Sequence, residues 1–306
     1  MNSGWFSKII LAIFSLLVIA VVAIYIMIPA TLTVATIRTV SVSMTGAVRY
    51  LNQDSIWETR LTCSSAPFSI TRRLPNAFEL VNHSALVPNP ARLLLIQSHP
   101  DSIRIKWETL YRGGWNPLDR IRNYNHAVKF KRCTQTLLDE TRDFLQDNKN
   151  LYGFSISRTT LKDTFLVSRK FQSRTYPPVD VIYTEIDRIK QYISASGAVE
   201  TNLPMINVRE TTNGMLTVMI GIPVNKPLMD SAGFSTKRLA QYKNRTLTTE
   251  VHGGNEVVDE AIKAMIRYMD DYRVTNPTTY FEMLITDRRK EKDPSKWITR
   301  IFYPIV

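Results

Sequence analysis

The sequence has few of the residues that build metal and redox sites. Its 306 residues include only four histidines and two cysteines. The histidines never fall at metal-ligand spacing, and neither an HExxH nor a CxxC motif occurs. A zinc site is therefore not expected, and no cofactor is predicted. Cys63 and Cys133, seventy residues apart, could pair in an oxidising compartment or remain buried thiols.

Motifs for nucleotide and serine-hydrolase chemistry are also missing. There is no GxGxxG, no P-loop and no Gly-x-Ser-x-Gly elbow, so these chemistries have no support. The net charge of +12 suggests nucleic acid at first sight. Basic residues are spread over both halves, however, and the densest cluster, Arg288-Arg289-Lys290 with Lys292, is interpreted as a solvated turn. Nucleic acid is not predicted as a partner, and the sequence does not indicate an oligomeric state.

Charge is absent from one long stretch near the N-terminus. Residues 9–28 are almost entirely apolar, and twenty residues at about 1.5 Å each cross the hydrocarbon core of a bilayer. Trp5 and Tyr25 suit the aromatic belts at the two interfaces. A cleaved signal peptide is the alternative, but the run exceeds the usual apolar segment of about 7–15 residues. We therefore predict a single-pass anchor over residues 1–30, with an extracytoplasmic body.

Residues 31–150 predict a first α+β domain. Thr31–Val48 is β-prone, a short helix contains Trp57, and short strands such as Ser102–Trp107 alternate in polarity. The segment His126–Gln146 has the apolar periodicity of a helix. The polar stretch 147–150 marks the boundary.

Residues 151–306 predict a second domain that is built as a duplication. Each of two units, about 80 residues apart, reads as strand, helix, strand, strand. The predicted strands are Thr164–Lys170, Met205–Arg209 and Met215–Pro223 in the first unit, and Leu247–Val251, Tyr280–Ile285 and Trp297–Tyr303 in the second. Such a duplication predicts one continuous sheet backed by two helices, with a cleft along the pseudo-twofold axis.

One acid stands out inside this duplication. Glu282 lies in the middle of a β-rich run and shares one face of the strand with Tyr280 and Leu284. Both faces are otherwise apolar, so the carboxyl group must be protonated, paired or awaiting a partner. A salt bridge to a neighbouring strand, with Arg300 as candidate, is the alternative to a binding site.

Residues 151–306 resemble the gyrase-inhibitor-like domain, which is also the effector-binding domain of AraC-type, multidrug-responsive transcription activators. The resemblance rests on the duplicated unit, on His252-Gly253-Gly254 before the second helix, on Tyr280-Phe281-Glu282, and on the closing strand from Trp297 to Ile305. It implies that a central cleft binds bulky apolar or cationic small molecules. Glu282 occupies the position of the family's counter-ion glutamate.

The resemblance also suggests which residues line the cleft. Tyr280, Trp297 and Tyr303 would supply aromatic walls, with core or rim packing as an equally common alternative for each. Met205 could line an adaptable wall, although such methionines more often fill a core. Some similar proteins hydrolyse cyclopropanoid electrophiles with two glutamates. The matching strand of the first repeat, Pro204-Met205-Ile206-Asn207, has no acid. Binding is therefore predicted, with two alternatives: a hydrolase that uses Glu282 as acid or base, and a non-catalytic interaction domain at the membrane.

Residues 31–150 are similar to the START-like fold, also called SRPBCC or polyketide-cyclase-like. The order of a strand, a helix with Trp57, several strands and a long helix ending near Gln146 carries this similarity. It implies a helix-grip domain. In many bacterial membrane proteins that domain lies between an N-terminal span and a gyrase-inhibitor-like domain. The expected location is therefore the bacterial inner membrane.

Overall fold

The chain is an α+β protein with an N-terminal apolar helix and two antiparallel sheets. The computed structural model describes residues 3–59, 62–63, 66–82, 90–112, 114–162, 165–231, 233–239 and 245–306. Two compact units divide the chain, Met1–Gln146 and Asp147–Val306, and each contains one sheet. The predicted fold class is confirmed.

The first helix, α1 (Ser3–Met27), is long and apolar enough to cross a membrane. Its segment Trp5–Met27 has a mean hydropathy of 3.2, and none of it is buried within the protein. Arg120 contacts the C-terminal end of α1. Its Nη1 donates to the Ile28 carbonyl at 2.9 Å, and its guanidinium carbon lies 4.3 Å from the centre of the Tyr25 ring. The Tyr25 hydroxyl also donates to the carbonyl of Trp115.

The first unit is an antiparallel sheet packed against a long helix. Its elements are β1 (Thr31–Val40), α2 (Met44–Leu51), α3 (Asp54–Thr59), β2 (Thr62–Cys63), β3 (Ala66–Leu74), β4 (Ala77–Asn82), β5 (Ala91–His99), β6 (Ser102–Arg112) and α4 (Pro117–Gln146). The strand order is β1-β6-β5-β4-β3-β2. Alternate residues of β6, among them Ile103, Ile105 and Trp107, are buried, as the alternation predicted.

Helix α4 starts nine residues before the predicted His126, because its first residue is a proline, which suits the first turn of a helix. Two contacts fix it on β1. Thr36 and Thr134 share a hydrogen bond of 2.9 Å, and Arg38 makes a bidentate ion pair with Asp139 at 2.7 and 2.9 Å. Cys133 on this helix is disulfide-bonded, while the side chain of Cys63 lies outside the described residues.

The second unit contains the predicted duplication. Its elements are α5 (Asn148–Tyr152), β7 (Ser157–Thr159), β8 (Phe165–Ser173), α6 (Val179–Ala195), β9 (Met205–Glu210), β10 (Leu216–Val224), β11 (Phe234–Arg238), β12 (Thr246–His252), α7 (Asn255–Tyr272), β13 (Phe281–Leu284) and β14 (Ile298–Pro304). The strand order is β11-β8-β10-β9-β13-β14-β12-β7. The repeats β8-α6-β9-β10 and β12-α7-β13-β14 therefore meet where β9 pairs with β13.

The two edge strands β7 and β11 were not predicted. They are short, and β11 lies in the segment that the sequence suggested was only a connection. Each adds to a strand of one repeat, β11 to β8 and β7 to β12.

Helices α6 and α7 each build a core on the same face of the sheet. Ile182, Ile186 and Ile189 of α6 pack with Ile206 and Ile220. Met265 and Met269 of α7 pack with Leu247 and Ile301, so these methionines fill a core. A third cluster, formed by Leu161, Leu166, Met205, Phe281, Met283 and Phe302, lies on the other face. The sheet thus has a helix-covered face and an opposite face.

Candidate functional site

Glu282 lies at the junction of the two repeats, on the helix-covered face. It pairs with Ile301 on β14 and with Ile206 on β9, and residues directly opposite each other in antiparallel strands share a face. Ile206 belongs to the core of α6, and Ile301 to the core of α7. The acid therefore sits between the cores of the two helices.

The carboxyl group of Glu282 is buried and incompletely satisfied. The residue is 3% exposed, and its Oε2 has no hydrogen-bond partner within the described part of the chain. Arg300 does not supply one, because it pairs with Met283 on the opposite face and its Nη2 donates to Glu250 Oε2 at 2.7 Å. The Arg300 salt bridge considered from the sequence is wrong.

The cation that acts on Glu282 is Arg288, which comes from the loop after β13. Arg288 is 2% exposed, so its interpretation as part of a solvated turn is also wrong. Its Nη1 donates to Asn255 Oδ1 at 3.1 Å, and its Nη2 to Thr299 Oγ1 at 3.0 Å. Its guanidinium carbon lies 4.5 Å from the centre of the Trp297 ring. Arg288 thus donates its side-chain hydrogen bonds to neutral groups and makes no ion pair with the Glu282 carboxyl group.

Burial raises the pKa of Glu282 from its ordinary 4.5 to about 7. The positive charge of Arg288 opposes this rise, and the negative charge of Asp259 on α7 adds to it. Desolvation is the dominant cause, because the charged form loses more hydration than the neutral acid. Near neutral pH both forms are populated, which is a property common among functional carboxyl groups.

A tyrosine from the β8–α6 loop lies in the same buried environment. The hydroxyl of Tyr176 is buried and makes no well-formed hydrogen bond among the described residues, although the guanidinium of Arg288 lies near enough to act on it as a weak donor. Burial raises its pKa, and the charge of Glu282 raises it further, whereas the charge of Arg288 lowers it. Two polar groups that lack partners are therefore close enough to influence each other electrostatically.

Two of the predicted aromatic residues lie beside this acid. Tyr280 and Tyr303 have ring centroids 5.6 Å apart, and the Tyr280 hydroxyl donates to the Val208 carbonyl at 3.2 Å. Burial raises the pKa of Tyr280, with the charge of Glu282 as the next cause. The structure thus brings Tyr280, Tyr303 and Glu282 together.

The other two predicted residues have different positions. Trp297 is 9% exposed and reaches the site through Arg288, on which it stacks. Met205 lies on the opposite face of the sheet, since it pairs with Met283 and packs in the third cluster. The structure therefore does not bring Met205 together with Glu282, because neighbouring residues of a strand point to opposite faces.

Sequence reasoning missed Tyr176 and Arg288. Tyr176 stands directly before Pro177-Pro178, and Arg288 stands in the most basic cluster of the chain. Both contexts are typical of exposed loops, so no local signal indicated that these side chains turn inward.

No metal centre is evident in the part of the chain that the structure describes, where no group of three or more His, Cys, Asp or Glu side chains could hold an ion. Within the described residues, the groups that act on Glu282 include the guanidinium of Arg288, the carboxylate of Asp259 and the side chains of Tyr176 and Tyr280. This set suits an organic cation or a neutral hydrogen-bonding ligand better than a metal ion.

No family model matches the chain, and a search of curated protein sequences finds no match. Solved structures do resemble it. The EcmrR–DNA complex is 15% identical with a TM-score of 0.44, over 61% of this chain and 71% of that chain. SAV2435 bound to tetraphenylphosphonium is 18% identical with a TM-score of 0.34, over 50% and 93%. A hydrolase from Listeria innocua is 11% identical with a TM-score of 0.36, over 49% and 91%. The function is therefore inferred from this chain's own residues.

Proposed function

We propose that the second unit, residues 147–306, binds small molecules with an apolar body and a positive charge, and that Glu282 is the counter-ion. The observation that carries this proposal is the buried Oε2 of Glu282, which lacks a hydrogen-bond partner within the described residues. A cationic ligand would supply a positive charge beside this carboxylate, and the neighbouring tyrosine rings would contact its apolar body.

Burying Glu282 in its ionised form costs the second unit folding free energy. Moving the pKa from 4.5 to about 7 corresponds to a cost of about 3 kcal/mol for the ionised form. The unpartnered hydroxyl of Tyr176 adds about 1–3 kcal/mol. A bound cation would recover much of the first cost, whereas a neutral apolar ligand would not. The site therefore favours charge-bearing ligands.

The aromatic residues support the same ligand class. The faces of Tyr280 and Tyr303 carry negative electrostatic potential, and a desolvated cation over such a face gains about 2 kcal/mol. Delocalised aromatic cations combine this attraction with stacking and with apolar contact.

Tetraphenylphosphonium, the cation in the SAV2435 structure, is a suitable probe because it unites a single positive charge with four phenyl rings. Binding is measured by equilibrium dialysis on the full chain in phosphatidylcholine nanodiscs, with empty nanodiscs subtracted. We expect Glu282→Gln to weaken binding about tenfold to a hundredfold, the value of a lost interaction with a charged group. The exposed Glu260→Gln on α7 is the matched control and should bind like the wild type. Equal binding by Glu282→Gln would refute the counter-ion role.

A hydrolase is the second candidate, and the negative charge of Asp259 on α7, which raises the pKa of Glu282, favours it. An acid with a pKa near 7 can donate and accept a proton at neutral pH, and Asp259 brings the second acid that the first repeat lacks. The test is turnover of a cyclopropane-containing electrophile, followed by mass spectrometry. Loss of turnover in both Glu282→Gln and Asp259→Asn would establish this chemistry, and no turnover by the wild type would exclude it. Failure of both candidates would favour a non-catalytic interaction domain.

We further propose that α1 anchors the protein in a bacterial inner membrane with both units outside the cytoplasm, and that the first unit is START-like. The uncharged span supports the anchor. Two short helices after β1 and a long helix against an antiparallel sheet support the START-like assignment. Protease added to spheroplasts should cleave both units. Protection of both until the cells are lysed would place them in the cytoplasm.

A further inference from the structure

The second unit contains a second candidate site on the opposite face of the sheet. A cavity of about 310 Å³ lies there, lined by the apolar side chains of Leu166, Met205, Met219 and Phe281, among others. Glu282 does not line it, because it points to the helix-covered face. Tyr280 lines both this cavity and the Glu282 site, but the proposed function gives the cavity itself no role.

The floor of the cavity is shaped by a glycine on β10. A Cβ atom at Gly221 would lie 2.8 Å from Cγ of Leu166 and 2.9 Å from both of its Cδ atoms. Leu166 can occupy this position only because residue 221 has no side chain. The shape of the cavity floor therefore depends on Gly221 and Leu166.

The opening of the cavity is basic. Lys237, Arg238 and Arg245 line it with side chains that reach solvent, and none of the lining residues that the structure describes is acidic. Lys170, on the neighbouring strand, adds to this charge. Partial burial and the charge of Lys170 hold the pKa of Lys237 below its usual value. Within the described ranges, neither lysine has a carboxylate partner.

We propose that this cavity binds an anionic amphiphile, with the chain among Met205, Met219 and Phe281 and the head group at Lys170 and Lys237. A cavity of about 150 Å³ holds one benzene ring, so about 310 Å³ accommodates about twelve carbons. A carboxylate or a phosphate monoester would lie between the two ammonium groups and reduce their mutual repulsion. The head group could come from a fatty acid or from a lipid phosphate, and both share this chemistry.

The test uses dodecanoate with a terminal diazirine, photolysed with the full chain in phosphatidylcholine nanodiscs and mapped by peptide mass spectrometry. We expect label on the peptides that contain Met205, Met219 or Phe281. Dodecanoate or dodecyl phosphate should compete about tenfold better than dodecanol, the value of one interaction with a charged group. The stronger of the two anions identifies the source of the head group. Label outside the cavity, or equal competition by dodecanol, would overturn the proposal.

Variants separate the roles of charge and space. The double variant Lys170→Ala with Lys237→Ala should lose the tenfold preference for anions, while the exposed Lys263→Ala should keep it. Met219→Trp, at a half-buried lining position, should abolish the label by filling the cavity. A preserved anion preference in the double variant, or preserved label in Met219→Trp, would overturn the proposal. Glu282→Gln should label like the wild type, so the two proposed sites fail or succeed independently.

Discussion

Replacing Glu282 by glutamine should change how the stability of the second unit depends on pH. The pKa of Glu282 is about 7 in the folded chain against an ordinary 4.5. As the pH rises from about 4.5 to about 7, the unfolded chain loses this proton first and is favoured by that loss. The wild-type unit should therefore lose about 3 kcal/mol of stability across this window, since one pKa unit corresponds to about 1.4 kcal/mol. The glutamine variant has no such proton to lose.

The assay must report on the second unit alone, because the chain has two units and need not unfold in one step. Urea unfolding followed by hydrogen exchange of peptides from β13 and β14 meets this need. Measurements at about pH 4 and about pH 8 bracket the window. The difference in unfolding free energy between wild type and Glu282→Gln should shift by about 3 kcal/mol toward the variant at the higher pH.

Glu260→Gln provides the baseline, since this α7 residue is exposed and its replacement removes a carboxylate of the same type. It should follow the wild-type pH dependence. If wild type and Glu282→Gln lost stability in parallel, Glu282 would not carry the raised pKa, and the argument for a desolvated counter-ion would fail.

Three further substitutions probe the contacts around the two sites. Arg288→Met should raise the pKa of Glu282 above about 7, measured by infrared titration of the carboxyl band, and lower the stability of the second unit by about 3–6 kcal/mol through two lost charged hydrogen bonds. An unchanged pKa would contradict the role of Arg288. Tyr176→Phe should leave stability unchanged or raise it by about 1 kcal/mol in urea unfolding, because its hydroxyl lacks a partner among the described residues. A loss of more than about 2 kcal/mol would show a hidden partner. Gly221→Ala should cost about 1–3 kcal/mol by crowding Leu166, and Leu166→Ala in the same chain should relieve most of that added strain; additive effects would contradict the crowding.

Much of the fold could be predicted because it is encoded in local periodicity. A window of a few residues is enough to predict the helix that contains Ile182, Ile186 and Ile189. The same is true of the strand that contains Glu282. The edge strands β7 and β11 could not be predicted in the same way. They have only three and five residues, and their pairing with β12 and β8 depends on tertiary contacts.

The residues of the candidate site also fall into a group that the local pattern predicts and a group that depends on tertiary structure. The stranded acid Glu282 and the adjacent Tyr280 were visible in the strand pattern. Which face each residue takes required the register, which places Ile206 on the side of Glu282 and leaves Met205 on the other. The side chains of Tyr176 and Arg288 point inward because of the geometry of their loops, which hydrophobic periodicity does not predict. Arg288 shows this most clearly, since it lies in a basic cluster and is nevertheless buried.

The central claim is that Glu282 is the charge partner of a bound cation, and proton release on binding tests it most directly. Because the pKa of free Glu282 is about 7, a cation that binds the carboxylate must lower this pKa and displace a proton near neutral pH. Calorimetric titration of tetraphenylphosphonium in buffers with different ionisation enthalpies gives the number of protons released. We predict release of about half a proton at pH 7 by the wild type and none by Glu282→Gln. Binding without proton release by the wild type would contradict the account.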